Sequence, residues 1–337
     1  VNPAITSLPI VILYPHSRCN CRCVMCDIWK GPERQELSLH DLERYAGEFE
    51  SLSVQWVVLS GGEPLMHSDL FRFCALLRER DIRTTILSTG LLLERHAARI
   101  AACVDDVIVS LDGPPEVHDS IRRVPGAYAA LARGTGAVLK LQPQFPISAR
   151  STVQRRNHRH LRETARTARD LGLRSISFLA ADLTSAAFNR PQGWTAERQS
   201  EVALSESETA DLEREIEALI PDSDLQGFVL ENPEKLRRIV RHFKAHLGLC
   251  DPVAPRCNAP WVSAVIEADR TVRPCFFHET IGKLNGSLLN VLNSPQALSF
   301  RSALDTATNP VCQRCVCSLN WVAACSAERL NAEDVGV

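Results

Sequence analysis

The sequence predicts an α/β chain: a parallel sheet covered by helices, curved into a partial, open (β/α)6 barrel of the TIM type, with a small C-terminal domain after it. Six apolar runs of strand length alternate with stretches of helical length, the pattern of a parallel sheet buried on both faces. Six units are too few to close an eight-stranded barrel. The motifs rich in cysteine, glycine and acid fall just past the ends of the apolar runs, where parallel α/β folds build their sites.

In order along the chain, residues 8–14 read as a buried strand that runs into a cysteine-rich loop. Ser38 and Asp41 form a capping box ahead of Leu42, Tyr45, Ala46 and Phe49, which recur at helical spacing. The next strand, residues 56–60, ends in Gly61-Gly62-Glu63-Pro64. A helix near 68–80 leads to a strand at 83–87 and to Ser88-Thr89-Gly90. After a helix over about 91–102, the strand 107–111 ends in Asp112-Gly113. A helix near 126–139, a strand near 147–153, a helix over about 157–171 and a strand at 174–179 complete residues 1–180, the barrel core.

Residues 181–250 break the rhythm. Pro191, Gly193 and Trp194 mark an irregular loop, and helices follow near 206–220 and 233–247. This segment reads either as an insertion packed over the barrel mouth or as a solvated connector. Residues 251–337 change character again: a hairpin over 262–267 and 271–275, then a helix opened by Pro295.

The 337 residues, 45% of them hydrophobic, suffice for a full core. A formal net charge of -2 gives no field that favours nucleic acid or a membrane surface. No export signal and no membrane-length apolar run is visible. Thirteen cysteines crowd toward the two ends of the chain. In such a chain clustered thiols read as metal ligands in a reducing cytoplasm.

Cys19, Cys23 and Cys26 have the spacing C-x3-C-x2-C, with Cys21 as an extra thiol among them. Such a loop can fold three thiolates round an iron–sulfur cube and leave one iron open. A structural zinc site and a set of buried thiols are the competing readings. With Met25 before the last cysteine and Gly61-Gly62-Glu63-Pro64 one strand later, the pattern resembles the radical S-adenosylmethionine (SAM) enzymes. The resemblance implies a [4Fe-4S] cluster on the three cysteines, with SAM on the open iron. SAM is then cleaved to a 5′-deoxyadenosyl radical that takes a hydrogen atom from substrate. An external reductant such as flavodoxin or ferredoxin is implied as well. By the same resemblance Met25 lies near the adenine, where the family usually has an aromatic residue. Gly61, Gly62 and Glu63 hold the SAM amino group, and Ser88, Ser110, Asp112 and Arg150 hold its ribose and carboxylate. A lone turn and a surface ion pair are the plain alternatives for Glu63 and Arg150.

Ser110-Leu-Asp-Gly followed by His118, Asp119 and Arg122 is similar to the subgroup with a C-terminal auxiliary-cluster domain. Cys257, Cys275, Cys312 and Cys315 have the layout of one further [4Fe-4S] cluster in the short, twitch form of the SPASM domain. Trp321 stands where the full form has a cysteine, and Cys317 and Cys325 are wrongly spaced; Cys250 and Cys317 remain alternates. A zinc ribbon is the rival reading. Cys74 and Cys103 read as small core hydrophobes.

Asp182, past the sixth run, is the first candidate for a substrate-side acid or base, and His278 the second. The expected substrate is a small polar metabolite: a sugar, aminocyclitol or nucleoside. It would be oxidised with the auxiliary cluster as electron acceptor, or epimerised or decarboxylated. A peptide-maturing enzyme is the alternative, although the barrel begins almost at residue 1, which is expected to leave no room for an N-terminal leader-peptide domain. A non-catalytic iron–sulfur or zinc scaffold is the third reading.

Overall fold

The computed structural model describes residues 2–31 and 34–322. Its elements are, in order, β1 (Ile10–Leu13), α1 (Leu39–Ser51), β2 (Trp56–Leu59), α2 (Leu70–Arg78), β3 (Arg83–Ser88), α3 (Leu93–Cys103), β4 (Asp106–Ser110), α4 (Pro115–Arg122) and α5 (Ala127–Leu141). They continue with β5 (Ile147–Val153), α6 (Leu161–Asp170), β6 (Ile176–Ala180), α7 (Ala196–Ser200), α8 (Glu206–Leu219) and α9 (Pro233–His246). The last are α10 (Ala259–Val262), β7 (Ser263–Ile266), β8 (Thr271–Arg273), β9 (Gly282–Lys283), α11 (Leu288–Leu292), α12 (Pro295–Ala303) and α13 (Pro310–Gln313). The expected strand–helix alternation is present, and α4 is an added short helix.

The chain divides into two compact units. One holds residues 1–18, 31–86 and 254–337. In it β1, β2 and β3 pair in parallel, and the residues of β1 and β2 are all buried. β7 pairs in parallel with the other edge of β1. β8 and β9 then extend the sheet antiparallel. The C-terminal strands therefore continue the sheet begun by the first strand. Helix α1 starts at the Ser38–Asp41 capping box and buries Leu42, Tyr45, Ala46 and Phe49.

The second unit holds residues 19–30 and 87–253. β4, β5 and β6 pair in parallel. Along β5 the residues alternate: Ile147, Ala149, Ser151 and Val153 are buried, while Ser148, Arg150 and Thr152 are partly open. The register aligns Ser110, Arg150 and Ser177 in one row, and residues in such a row share a face of the sheet. The Arg150 guanidinium donates to Ser177 Oγ at 3.0 Å.

The free edge of β6 is covered by residues 228–231. Ile176 N–H donates to the Phe228 carbonyl at 2.9 Å, and Leu230 N–H donates back to Ile176 at 3.0 Å. The backbone then turns away, and the Glu231 carboxylate accepts from Phe178 N–H at 2.9 Å in its place. An uncovered strand edge invites wrong pairing, so the segment after β6 has a structural task beyond connection. Helices α8 and α9 pack on each other, α8 on α6 and α9 on β6.

Burial pushes the Glu231 carboxyl up to about 7, against the pull of the Phe178 N–H and the Arg150 cation. Folding then favours the protonated form. Its stabilisation is complete below the ordinary value of 4.5, fades as pH rises toward 7, and is gone above it. Glu231→Gln keeps an acceptor for Phe178 and removes the charge. It is expected to match the parent in thermal melts at pH 5 and to exceed it by roughly 1–2 kcal/mol at pH 8. Equal melting curves at both pH values would contradict this.

Candidate functional site

The cysteine loop lies wholly in the second unit. Cys21 and Cys23 are buried, and Cys19 and Cys26 are partly open. Two backbone bonds tie the loop to the end of α4: Arg22 N–H donates to the Arg122 carbonyl at 3.1 Å and Val24 N–H to Ile121 at 2.9 Å. Asn20 accepts from Thr89 Oγ1 at 3.0 Å. Thr89 follows Ser88, whose hydroxyl accepts from Gly90 N–H.

Arg122 is the charged neighbour of this loop. Its Nη1 lies 3.5 Å from Cys23 Sγ, and its Nη2 lies 2.5 Å from a carboxylate oxygen of Asp112. Arg122 is 6% exposed and Asp112 not at all. The other Asp112 oxygen accepts from Thr152 N–H at 2.9 Å, and the Asp112 carbonyl accepts from the Asn157 side chain. The Asp112 carboxylate thus holds Arg122 against a thiol. His118 is neutral, pushed down to about 3 by burial and then by Arg122. Its Nδ1 accepts from Asp112 N–H at 3.2 Å.

The charges set the thiols apart. A hydrogen bond from Cys21, aided by Arg122 against the cost of burial, draws Cys23 down to about 6. Burial and the neighbouring Cys23 push Cys26 up to about 12. The hydrogen bond to Cys23, with burial, raises Cys21. Buried thiols become thiolates only where positive charge compensates them. Arg122 does that for Cys23, and a cationic iron cluster would do it for its companions.

In the first unit, Gly61 has φ +94°, and a Cβ there would meet the Tyr14 ring at 2.7 Å, so only glycine fits. Glu63 is fully buried. One carboxylate oxygen accepts from Leu65 N–H at 3.1 Å, and Glu63 N–H donates to the carbonyl of Arg18, the residue before Cys19. His16 holds the Glu63 carbonyl at 2.7 Å through Nε2, while its Nδ1 accepts from Arg18 N–H. Burial drives His16 down to about 4, so Nε2 is the donor. Nothing in the sequence pointed to His16.

The same unit contains a second thiol site. Cys257, Cys275, Cys312, Cys315 and Cys317 line an open recess, with Phe276 among the apolar residues around them. Asn258 draws the tail across it: its side chain donates to the Trp321 carbonyl at 2.6 Å and accepts from Trp321 N–H at 2.9 Å. Cys312 sits on α13, capped by Asn309. Burial pushes Cys275 up to about 12 and Cys312 to about 11. His278 Nε2 lies 3.3 Å from Cys312 Sγ, which places this candidate among the thiols. Cys250 belongs to the other unit and faces the Arg241 carbonyl. Cys325 lies outside the described residues. Tyr14 stacks on Phe276 at 6.3 Å, so the residue that demands Gly61 also abuts the wall of the recess.

Among the described residues no three His, Cys, Asp or Glu side chains are grouped for a single metal ion. Five thiols around one recess could hold a thiolate-bound iron–sulfur group.

Asp182 is buried, and its carboxylate accepts from Arg190 Nη1 at 2.9 Å and Ser185 Oγ at 2.5 Å. Both oxygens are thus engaged by neighbours within the protein.

Residues 13–179 match the Radical SAM superfamily, and residues 257–316 match SPASM, an iron–sulfur cluster-binding domain. The chain is 30% identical over 178 residues to an AdoMet-dependent heme synthase of Methanosarcina barkeri, half of either chain. It spans half, or less, of the length of the heme-synthase relatives it matches. It is 22% identical over 327 residues to the subtilosin biosynthesis protein AlbA of Bacillus subtilis, covering 94% of this chain and 66% of that one. Its fold is similar to Streptococcus suis SuiB bound to S-adenosylmethionine, with TM-score 0.67, 14% identity, and coverage of 94% of this chain and 74% of that one.

The Asp112–Arg122 pair gives a direct prediction. Asp112→Ala strands a buried guanidinium and is expected to cost about 3–5 kcal/mol in denaturant unfolding, whereas the double change with Arg122→Met should cost less than the single one. Additive losses would show that the pair is not coupled.

Proposed function

This chain belongs to the radical SAM superfamily, in the branch with a SPASM-type C-terminal domain, and on that premise we propose that it oxidises a small polar metabolite, such as a sugar, aminocyclitol or nucleoside. SAM on a reduced four-iron cluster would supply a 5′-deoxyadenosyl radical to take a hydrogen atom from carbon; the substrate radical would then lose its hydroxyl proton to solvent and its electron to a second cluster. Cys19, Cys23 and Cys26 would hold the first cluster, and Cys257, Cys275, Cys312 and Cys315 the second. Glu63 offers a carboxylate to the SAM ammonium from a turn that Gly61 and Gly62 keep open. Arg150, aligned with Ser110 and Ser177, offers a two-pronged donor to its carboxylate. Met25 and Ser88 complete the proposed SAM contacts.

The observation that carries the oxidative reading is the second thiol recess. A place for an electron acceptor inside the chain favours net oxidation over a redox-neutral outcome. Since Asp182 is tied to Arg190, no proton step is assigned to it. A reductant such as flavodoxin or ferredoxin, and a reducing cytoplasm, suit the unbridged thiols. No described helix is long and apolar enough to cross a membrane. A second reading, a peptide-modifying enzyme, draws on the similarity to AlbA, which extends over nearly the whole chain.

Anaerobically reconstituted protein is expected to form 5′-deoxyadenosine from SAM with a strong reductant. Formation should rise with a pool of cyclitols, sugars and nucleosides and stay flat with a peptide extract. A Cys23→Ala protein should form none. Stimulation by peptides alone would move the assignment to the second reading, and no product from a fully loaded protein would overturn both.

A further inference from the structure

The segment between the two matched regions holds the cysteine loop in place. Residues 180–256 are covered by neither family match, yet side chains from 189–198 reach the backbone of the loop. The carbonyls of residues 24–27 each accept from a side chain. Arg198 donates to Val24, Arg190 to Met25 at 2.8 Å, Trp29 to Cys26 at 2.8 Å and Asn189 to Asp27 at 3.1 Å. The Trp194 indole N–H donates to the Asp27 carboxylate at 2.6 Å.

Arg190 is the keystone of this strap. It is 3% exposed, and its guanidinium lies 3.7 Å from the Trp194 ring centroid and 5.3 Å from that of Phe188. It bonds Asp182 through both the carbonyl and the carboxylate. Phe188 and Asn189 adopt positive φ values of 58° and 64°, a conformation that costs free energy in residues with a Cβ. The bonds and ring contacts of the strap offset that cost. Its base is anchored too, since His242 of α9 lies 3.1 Å from the Ala181 carbonyl.

We infer that Arg190, with Trp194 and Asn189, is a positioning group for the iron site: the strap fixes the loop that carries Cys23 and Cys26 through its backbone carbonyls and the Asp27 carboxylate, and so sets how firmly the cluster is held. The inference rests on the cluster assignment proposed above. It assigns to Asp182 the task of orienting Arg190.

The test uses the full, anaerobically reconstituted protein. Iron release to a chelator is timed, and the reduced protein is followed by electron paramagnetic resonance with and without SAM. The signal that shifts with SAM reports the Cys19–Cys23–Cys26 site, and the unshifted remainder reports the second site. Arg190→Ala is expected to speed iron loss at least tenfold and to erode the SAM-responsive signal while the other signal persists. Arg190→Lys, whose compact ammonium cannot span Asp182 and Met25 as the planar fork does, should fall between. Trp194→Phe and Asn189→Ala each remove one bond and keep most of the packing. They should speed release a few-fold, and they decide the matter if Arg190→Ala does not fold. Parent-like release rates in Trp194→Phe, Asn189→Ala and any folded Arg190 variant would overturn the strap's role alone. A parent protein without a SAM-responsive signal would remove the cluster assignment and this inference with it.

Discussion

The loop that gathers four thiols into eight residues forms no helix or strand of its own, and it concentrates potential negative charge in a buried place. Both costs must be met from elsewhere in the chain. Arg122 meets the charge: a guanidinium at 3.5 Å from Cys23 favours the thiolate, and Asp112 keeps that guanidinium from being a lone buried cation. An isolated buried charge is far more costly than a paired one. Asp112 is held in turn by Thr152 N–H and Asn157, so the ends of β4 and β5 fix the electrostatics of the loop. The order of dependence runs from sheet register to carboxylate, to arginine, to sulfur.

The parallel sheet does a second thing for the sites. Strand register in such a sheet aligns side chains in rows, and one row joins Ser110, Arg150 and Ser177. A shift of one residue would turn Arg150 toward the covering helices and bring a buried alanine or serine in its place. Edge protection supports that register. β6 gains residues 228–231 on its open side, and β1 gains β7. The second pairing also carries the C-terminal thiols into the sheet that bears the glycine–glutamate turn, and Tyr14 and Phe276 fill the space between turn and recess.

What could be read from the sequence was local. The apolar runs, the Ser38 cap and the cysteine spacings are patterns within a few residues of each other, and the structure has them where expected. Pairings between distant segments were not readable. Nothing near Thr271 announces that its hairpin continues a sheet begun at Ile10. Nothing near Glu231 shows that its side chain replaces a strand bond at Phe178. Arg190 and Met25 are 165 positions apart. The carboxylate of Asp182 looked available because the partner that occupies it is defined by a turn with positive φ at Phe188 and Asn189. The one hint lay in composition: arginines interleaved with Trp194 in a stretch otherwise read as a loop marker.

Residues 180–256 therefore do several jobs at once. They close the edge of β6, bury the Glu231 carboxyl, and supply donors to the backbone of the cysteine loop. A connector that only bridged two domains would not need Asp182, Arg190 and Trp194 packed together and 9% exposed or less. The burial of a charged pair beside an aromatic ring is a cost that a solvated linker avoids, and here it is offset by contacts to the loop. Substitutions in this stretch, although far in sequence from every candidate ligand, act on the metal-binding loop through the hydrogen bonds that hold its carbonyls.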